Sequence, residues 1–216
     1  MSAEASRVRV KICGVTNRED ALAAIALGAD ALGFNLFPDS KRYIEIDREA
    51  PWIQALPLFV TRVAVLVNVP PEEARRVAER PEIDLVQFHG DEDAAYCREF
   101  ARLGRSFVKA VRLRDAASVE MADHFSTPHV LLDACAGAAF GGTGALVDLA
   151  LASECVRRHP ALRIVLAGGL KPENVRGAVR AVGPYAVDVA SGVEAEGNPR
   201  RKSVERMERF FDEVRG

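Results

Sequence analysis

The stretch RIVLAGGLKPENVRGAVRAVGPYAVDVASG, residues 163–192, holds a complete strand–helix–strand pattern. Its first run, RIVLAG at 163–168, is short, apolar and closed by glycine, as a buried strand is. PENVRGAVRAVG at 172–183 has helical periodicity, with a proline at its start and a glycine at its end, the order in which helices use those residues. AVDVAS at 186–191 is a second strand-like run, and it too leads into a glycine.

The same alternation extends over the rest of the chain. VRVKIC (8–13), ALGFNLF (31–37), TRVAVLVN (61–68), LVQFH (85–89), SFVKAVRL (106–113) and HVLLDA (129–134) bring the strand-like runs to eight, and the last helical stretch is SVERMERFFDEVRG at 203–216. Eight strand–helix units in 216 residues close most economically into one α/β domain, a (β/α)8 TIM barrel over residues 1–216, with an open doubly wound sheet as the alternative. No low-complexity run or block of like charge divides the chain.

Twenty-nine Lys and Arg nearly balance 31 Asp and Glu, for a formal charge of -2, so nothing points to a nucleic-acid or membrane-surface partner. Cys13, Cys97, Cys135 and Cys155 lie far apart with no C-x-x-C pair, which reads as reduced thiols in a cytoplasmic protein. No apolar stretch is long enough to span a bilayer, and His89, His124, His129 and His159 form no ligand pattern with the cysteines; no metal and no cofactor are expected. Cys97 and Cys155 fall within helical stretches and read as core fillers.

Barrel chemistry sits at the C-terminal ends of strands. Cys13, Asn35, Arg42, Asn68, His89, Asp133, Gly168, Gly169, Ser191 and Gly192 all fall there. Cys13 ends its strand facing the barrel mouth, and Lys11, two residues earlier on the same face, is placed to assist ionisation of the thiol. Asp133 follows the apolar HVLL, where a carboxyl is expected to hold a proton near neutrality; the alternative is an aspartate capping the next turn. Glycines cluster in FGGTG (140–144), AGGLKPEN (167–174) and ASGVEAEG (190–197), and the last two follow strands 7 and 8, where barrels commonly bind phosphate. Arg42 lies in a polar loop after strand 2, able to clamp a carboxylate or simply to be solvated. Asp188 is expected to neutralise Lys11, because strands 8 and 1 are neighbours in a closed barrel.

The motifs VKICGVTN, GADALGF, SKRYI, VQFHG, LLDA, GGTG, GGLKPENV and VDVASGVE, in that order, make the chain resemble the phosphoribosylanthranilate isomerase family nearly end to end. The resemblance implies an Amadori rearrangement of N-(5'-phosphoribosyl)anthranilate in tryptophan biosynthesis, with Cys13 as general base and Asp133 as general acid. It further implies that Arg42 holds the anthranilate carboxylate and that Gly168, Gly169, Ser191 and Gly192 hold the phosphate. The expected partner is therefore a small phosphosugar, and the chain is a monomer or a homodimer.

The sequence departs from the family's pattern in places. GGTGALVDLALAS keeps only Asp148 of the usual Lys and Phe-Asp-Trp run, Ala167 and Ala190 replace serines, and GNPRRKS lacks the usual Lys-Asp pair. Cys135 is an extra thiol with no assigned role. The rival readings are a related sugar-phosphate isomerase, which would carry an Asp in place of Cys13, and an inactive phosphate-binding barrel.

Overall fold

The computed structural model describes residues 7–134 and 146–216; Cys135 and the FGGTG glycines lie outside them. Eight parallel strands close into a barrel: β1 (Arg9–Cys13), β2 (Ala31–Asn35), β3 (Thr61–Leu66), β4 (Leu85–Phe88), β5 (Phe107–Leu113), β6 (His129–Ala134), β7 (Arg163–Leu166) and β8 (Ala186–Val189). β8 pairs back onto β1, with Lys11 in register with Asp188. The helices follow in turn: α1 (Arg18–Ala26), α2 (Ile46–Gln54), α3 (Pro71–Ala78), α4 (Ala94–Ala101), α5 (Ala116–Glu120), α6 (Leu149–Arg158), α7 (Val175–Val182) and α8 (Val204–Arg215).

Local chemistry sets where the helices start and stop. Asn17, Asp93, Asp148 and Ser203 accept hydrogen bonds from the first-turn N–H groups of α1, α4, α6 and α8, satisfying donors that have no partner within the helix. α5 opens on a capping box between Asp115 and Ser118. Gly183 closes α7 in the left-handed conformation, φ 63°.

Two apolar layers result. The larger packs the outward faces of the strands against the helices, and Phe88 anchors it with edge contacts to Tyr96 and Phe100 at centroid distances of 5.2 and 4.9 Å. Cys97 and Cys155 are buried there, and burial pushes both thiols up to about 11. The smaller layer fills the barrel interior with Val108, Ala110, Leu131 and Ala167. With one face of each strand turned to the helices, the alternate residues Gln87, Arg112, Asp133 and Asp188 turn inward.

The strand-like runs are all strands, but several stop early. β2, β3, β7 and β8 each end two residues before the run read from sequence, because the chain leaves the ladder to turn. After β7 the turn needs Gly168 and Gly169 at φ 82° and 66°, which are accessible to glycine at no steric penalty. The chain between β5 and β6 forms the short α5 and a separate 3-10 turn at Met121–Asp123.

One element has no counterpart in the sequence reading. β9 (Glu194–Ala195) and β10 (Asn198–Lys202) form a small antiparallel hairpin after β8. It is laced onto the barrel top: Thr16 Oγ1 donates to Arg200 O at 2.5 Å, Arg200 Nη1 to Tyr43 O at 2.8 Å, and the Lys202 N–H to Asp20 Oδ2 at 2.7 Å. Among the described residues no helix is long and apolar enough to cross a membrane.

Candidate active site

β1 brings Lys11 and Cys13 to the barrel interior. Lys11 Nζ donates to Asp188 Oδ1 at 2.6 Å, and both side chains are buried, so the expected neutralisation of Lys11 by β8 is present. Burial alone would strip the Lys11 charge, but the Asp188 carboxylate outweighs it, with Cys13 adding, and the ammonium is held above its usual range. The Cys13 thiol is pushed up, first by burial and then by Asp188; Lys11 and Lys202 pull the other way without overcoming them. Lys11 therefore assists the thiolate, as its place on the strand suggests, yet the net shift favours the thiol.

Gly33 on β2 makes room for this pair. It lies in register with Cys13, and a methyl group there would stand 2.8 Å from Cys13 Sγ and 3.0 Å from Lys11 Nζ.

Arg42, after β2, lies across Gly14 beside Cys13. Its Nε and Nη2 donate to the two oxygens of Glu194 at 2.5 and 3.1 Å, a bidentate clasp that leaves Nη1 unengaged by that carboxylate. Burial weakens the Arg42 charge, but Glu194 more than restores it. Lys202 Nζ reaches the same Glu194 at 3.3 Å and the Ala190 carbonyl at 3.1 Å. Burial lowers the Lys202 ammonium, with Glu194 acting against that.

The loops after β7 and β8 bound a recess of about 390 Å³ lined by Gly169, Ser191, Gly192, Lys171 and Arg206. Gly192 presses on the Leu170 carbonyl so closely that any side chain would collide with it. Gly168 belongs elsewhere. Its Cα backs onto β6, where a methyl group would meet Ala134 N at 2.6 Å and Asp133 Oδ1 at 3.0 Å, so this glycine clears space around the aspartate and does not line the recess.

Asp133 ends β6 in a setting that differs from the apolar one expected. Its Oδ1 accepts the Ala134 N–H at 2.8 Å and its Oδ2 lies 3.0 Å from His89 Nε2, while His89 Nδ1 lies 2.8 Å from Gln87 Nε2. HVLL is apolar, but one polar neighbour is β6's own Ala134 N–H and the other, His89, comes from the end of β4, two strands away. Asn35 turns to its own loop, accepting from Phe37 N–H, and Asn68 to the loop after β4, accepting from Asp91 N–H.

The structure thus gathers Cys13 and Asp133 at the barrel mouth, Arg42 beside Cys13, and Gly169, Ser191 and Gly192 around one recess. Sequence reading missed Gly33, Gln87, Glu194 and Lys202. Glu194 stood inside the GVE motif, and Gln87 and His89 inside VQFHG, without a role for any of them.

Residues 10–213 match the family model described as N-(5'phosphoribosyl)anthranilate (PRA) isomerase. A relative from Geobacter sulfurreducens, named N-(5'-phosphoribosyl)anthranilate isomerase, is 42% identical over 209 residues, covering 97% of this chain and 99% of that one. A crystal structure of phosphoribosyl anthranilate isomerase in complex with reduced 1-(o-carboxyphenylamino)-1-deoxyribulose 5-phosphate superposes with a TM-score of 0.80 at 39% identity, over 96% of this chain and 98% of the other. A structure of monomers generated from the dimeric Thermotoga maritima enzyme gives 0.81 at 37% identity, over the same shares of the two chains. On this agreement of sequence and architecture over nearly its whole length, the chain belongs to the N-(5'-phosphoribosyl)anthranilate isomerase family.

Proposed function

We propose that Cys13 and Asp133 are the base and acid with which this chain converts N-(5'-phosphoribosyl)anthranilate to 1-(2-carboxyphenylamino)-1-deoxyribulose 5-phosphate. The observation that carries the assignment is the position of the pair: a thiol on β1 and a carboxyl on β6 share the barrel mouth, with a guanidinium on the β2 side and a glycine-lined recess over β7 and β8. A substrate bearing a carboxylate at one end and a phosphate at the other fits between them.

Asp133 delivers a proton to the furanose ring oxygen, the C1'–O bond breaks with its electron pair going to that oxygen, and the anthranilate nitrogen lone pair forms the C1'=N iminium. The Cys13 thiolate then takes the C2' proton, and the C–H electrons move to neutralise the iminium, leaving an enolamine that becomes the ketone when C1' gains a proton and the 2'-hydroxyl gives one up. Each positioned proton transfer contributes about 10²- to 10⁴-fold. An unperturbed thiol is only a few per cent ionised at pH 7, a penalty of about 2 kcal/mol, and burial deepens it here. The iminium cation forming next to the thiol works in the opposite direction.

By this reading Arg42 meets the anthranilate carboxylate through Nη1, its other donors being fixed on Glu194. Gly169, Ser191 and Gly192 receive the phosphate, and Gly168 acts through the clearance it gives Asp133. The test is loss of anthranilate-type fluorescence from the substrate. Wild-type protein turns it over, and Cys13→Ser, with a hydroxyl scarcely ionised at pH 7, loses about 10²-fold or more in kcat. No fluorescence change at micromolar wild-type enzyme overturns the activity; near-normal turnover by a folded Cys13→Ser overturns the base.

The assembly is a homodimer by the same reading. Leu58 and Phe59 protrude from the loop before β3, on the barrel face opposite the site, 84% and 103% exposed, with Phe59 at φ 71°. The dimeric relative from Thermotoga maritima supports a second copy as their cover. Sedimentation of Phe59→Asp at half the wild-type mass bears this out; a monomeric wild-type chain refutes it. Unpaired Cys13, Cys97 and Cys155 fit a reducing, cytoplasmic setting.

A further inference from the structure

The surroundings of Asp133 pose a chemical problem for a general acid. Both of its oxygens are occupied by hydrogen-bonding groups, the Ala134 N–H and His89 Nε2, an arrangement suited to a carboxylate that accepts. An acid must nevertheless supply a proton to the furanose oxygen. The nearest store of one is His89.

Which protons His89 carries depends on Gln87, 1% exposed and 2.8 Å from Nδ1. The amide can present its NH2 or, after a half-turn about its last bond, its carbonyl. With the NH2 donating, Nδ1 is an acceptor, His89 is neutral with its proton on Nε2, and the Gln87 Oε1 is buried without a hydrogen-bond partner among the described residues. A buried carbonyl oxygen left so is unfavourable. With the carbonyl turned to Nδ1, that oxygen gains a donor, the NH2 swings into the place the oxygen leaves, and a His89 that also donates from Nε2 to the Asp133 carboxylate carries protons on both nitrogens as an imidazolium.

We propose that Gln87, His89 and Asp133 form a proton relay in which the Gln87 amide holds His89 as an imidazolium and His89 recharges Asp133. His89 Nε2–H passes its proton to Asp133 Oδ2, leaving a neutral imidazole with Nδ1–H on the Gln87 carbonyl. Asp133 passes that proton to the ring oxygen as the C1'–O bond breaks, returns to carboxylate, and solvent reprotonates His89 after turnover. Gln87 and His89 act through Asp133 and are positioning residues. The inference rests on Asp133 being the acid.

Other groups around the relay are fixed. Arg112 on β5, in register with Asp133, lies 3.3 Å from Asp91; Lys109 and Glu92 pair at 2.8 Å on the Gly90 loop. β3 offers Val65 in register with Gln87, and the turn after β7 sets Gly168 against Asp133; neither titrates. Gln87 takes part in no ion pair, so turning its amide breaks none.

The experiment is the pH dependence of kcat/KM, which reports free-enzyme groups. His89→Asn keeps a donor toward Asp133 but stores no proton, so kcat/KM falls by about 10²-fold and one inflection disappears. Gln87→Glu favours the imidazolium and moves that inflection to higher pH, while Gln87→Leu removes the acceptor and moves it lower. A merely structural role for Gln87 would not move the inflection in opposite directions in the two variants. If neither variant shifts it while Asp133→Asn is inactive, the relay falls and the acid stands; if Asp133→Asn turns over normally, the acid itself falls. NMR of the His89 ring nitrogens in the wild-type enzyme needs no variant to fold: titration across the same pH interval as the inflection supports the relay, and its absence there overturns it.

Discussion

Replacing Gly33 by alanine tests whether the thiol is positioned to do chemistry or merely buried. The new methyl would stand 2.8 Å from Cys13 Sγ, 3.0 Å from Lys11 Nζ and 3.1 Å from the Cys13 Cα, all closer than ordinary contact. Carbon atoms settle at about 3.5–4.0 Å, so Sγ must retreat by about 0.7–1.2 Å. A displacement of about 1 Å at a reacting group lowers the rate by about 10²-fold. Overpacking destabilises by about 1–3 kcal/mol, offset by about 0.4–1 kcal/mol from the stiffer unfolded chain. Steady-state fluorescence kinetics and urea midpoints on one sample then give a kcat near 1% of wild type, KM almost unchanged because Arg42 and the recess are untouched, and a net stability loss of about 1–2 kcal/mol. Gly177→Ala is the control: it sits in α7 with no atom near the new methyl, and kcat should stay constant while stability rises by about 0.5–1 kcal/mol. A folded Gly33→Ala enzyme with kcat within about twofold of wild type would refute the reasoning.

Asp188→Asn strands the Lys11 charge inside the barrel and should lower stability by about 3 kcal/mol or more in urea titrations, while relieving Cys13 of a carboxylate that raises it and so moving the thiol inflection of kcat/KM to lower pH. Gly192→Val forces the β8 loop off the Leu170 carbonyl, so KM should rise far more than kcat falls, and inorganic phosphate should compete with substrate in the wild type; lack of competition at tens of millimolar, about the range for a weak anion mimic, counts against the recess. Cys13, Cys97 and Cys155 are all raised in the folded state, and such groups contribute stability that is present below the unfolded thiol value of about 8.5 and lost as pH climbs through the folded values. Urea midpoints should therefore decline steadily from about pH 8.5 to pH 11, and a flat profile would contradict the burial of these thiols.

The barrel was legible because it is written in local periods: an apolar run of strand length, a turn residue and a helical stretch, eight times over. Lys11 and Asp188 were legible too, since closure makes first and last strands neighbours. The rest depended on contacts no local pattern encodes. Arg42 finds Glu194 across 152 residues, and the basic, proline-containing NPRRK that pairs with the Glu194 strand reads as a loop until that hairpin is in place. Asp133 was misjudged for the same reason: its own strand is apolar, and the groups that meet its oxygens include one supplied by β4. Gly168 was assigned by position in a glycine pair, whereas its clearance of Asp133 depends on the packing of β6 against β7.

The site's longest connections run between the two ends of the chain. Lys11 and Asp188 are 177 residues apart, and Thr16 and Arg200 are 184 apart. During translation at about 5–20 residues per second, the N-terminal strand waits on the order of 10–40 s with its lysine uncompensated before its partners leave the ribosome. A nascent or prematurely terminated chain lacking β8 and the hairpin carries Cys13 and Arg42 but neither Asp188 nor Glu194, and it lacks the Ser191 and Gly192 wall of the recess. A product of the message cut short before β8 and the hairpin therefore lacks both carboxylates that Lys11 and Arg42 pair with.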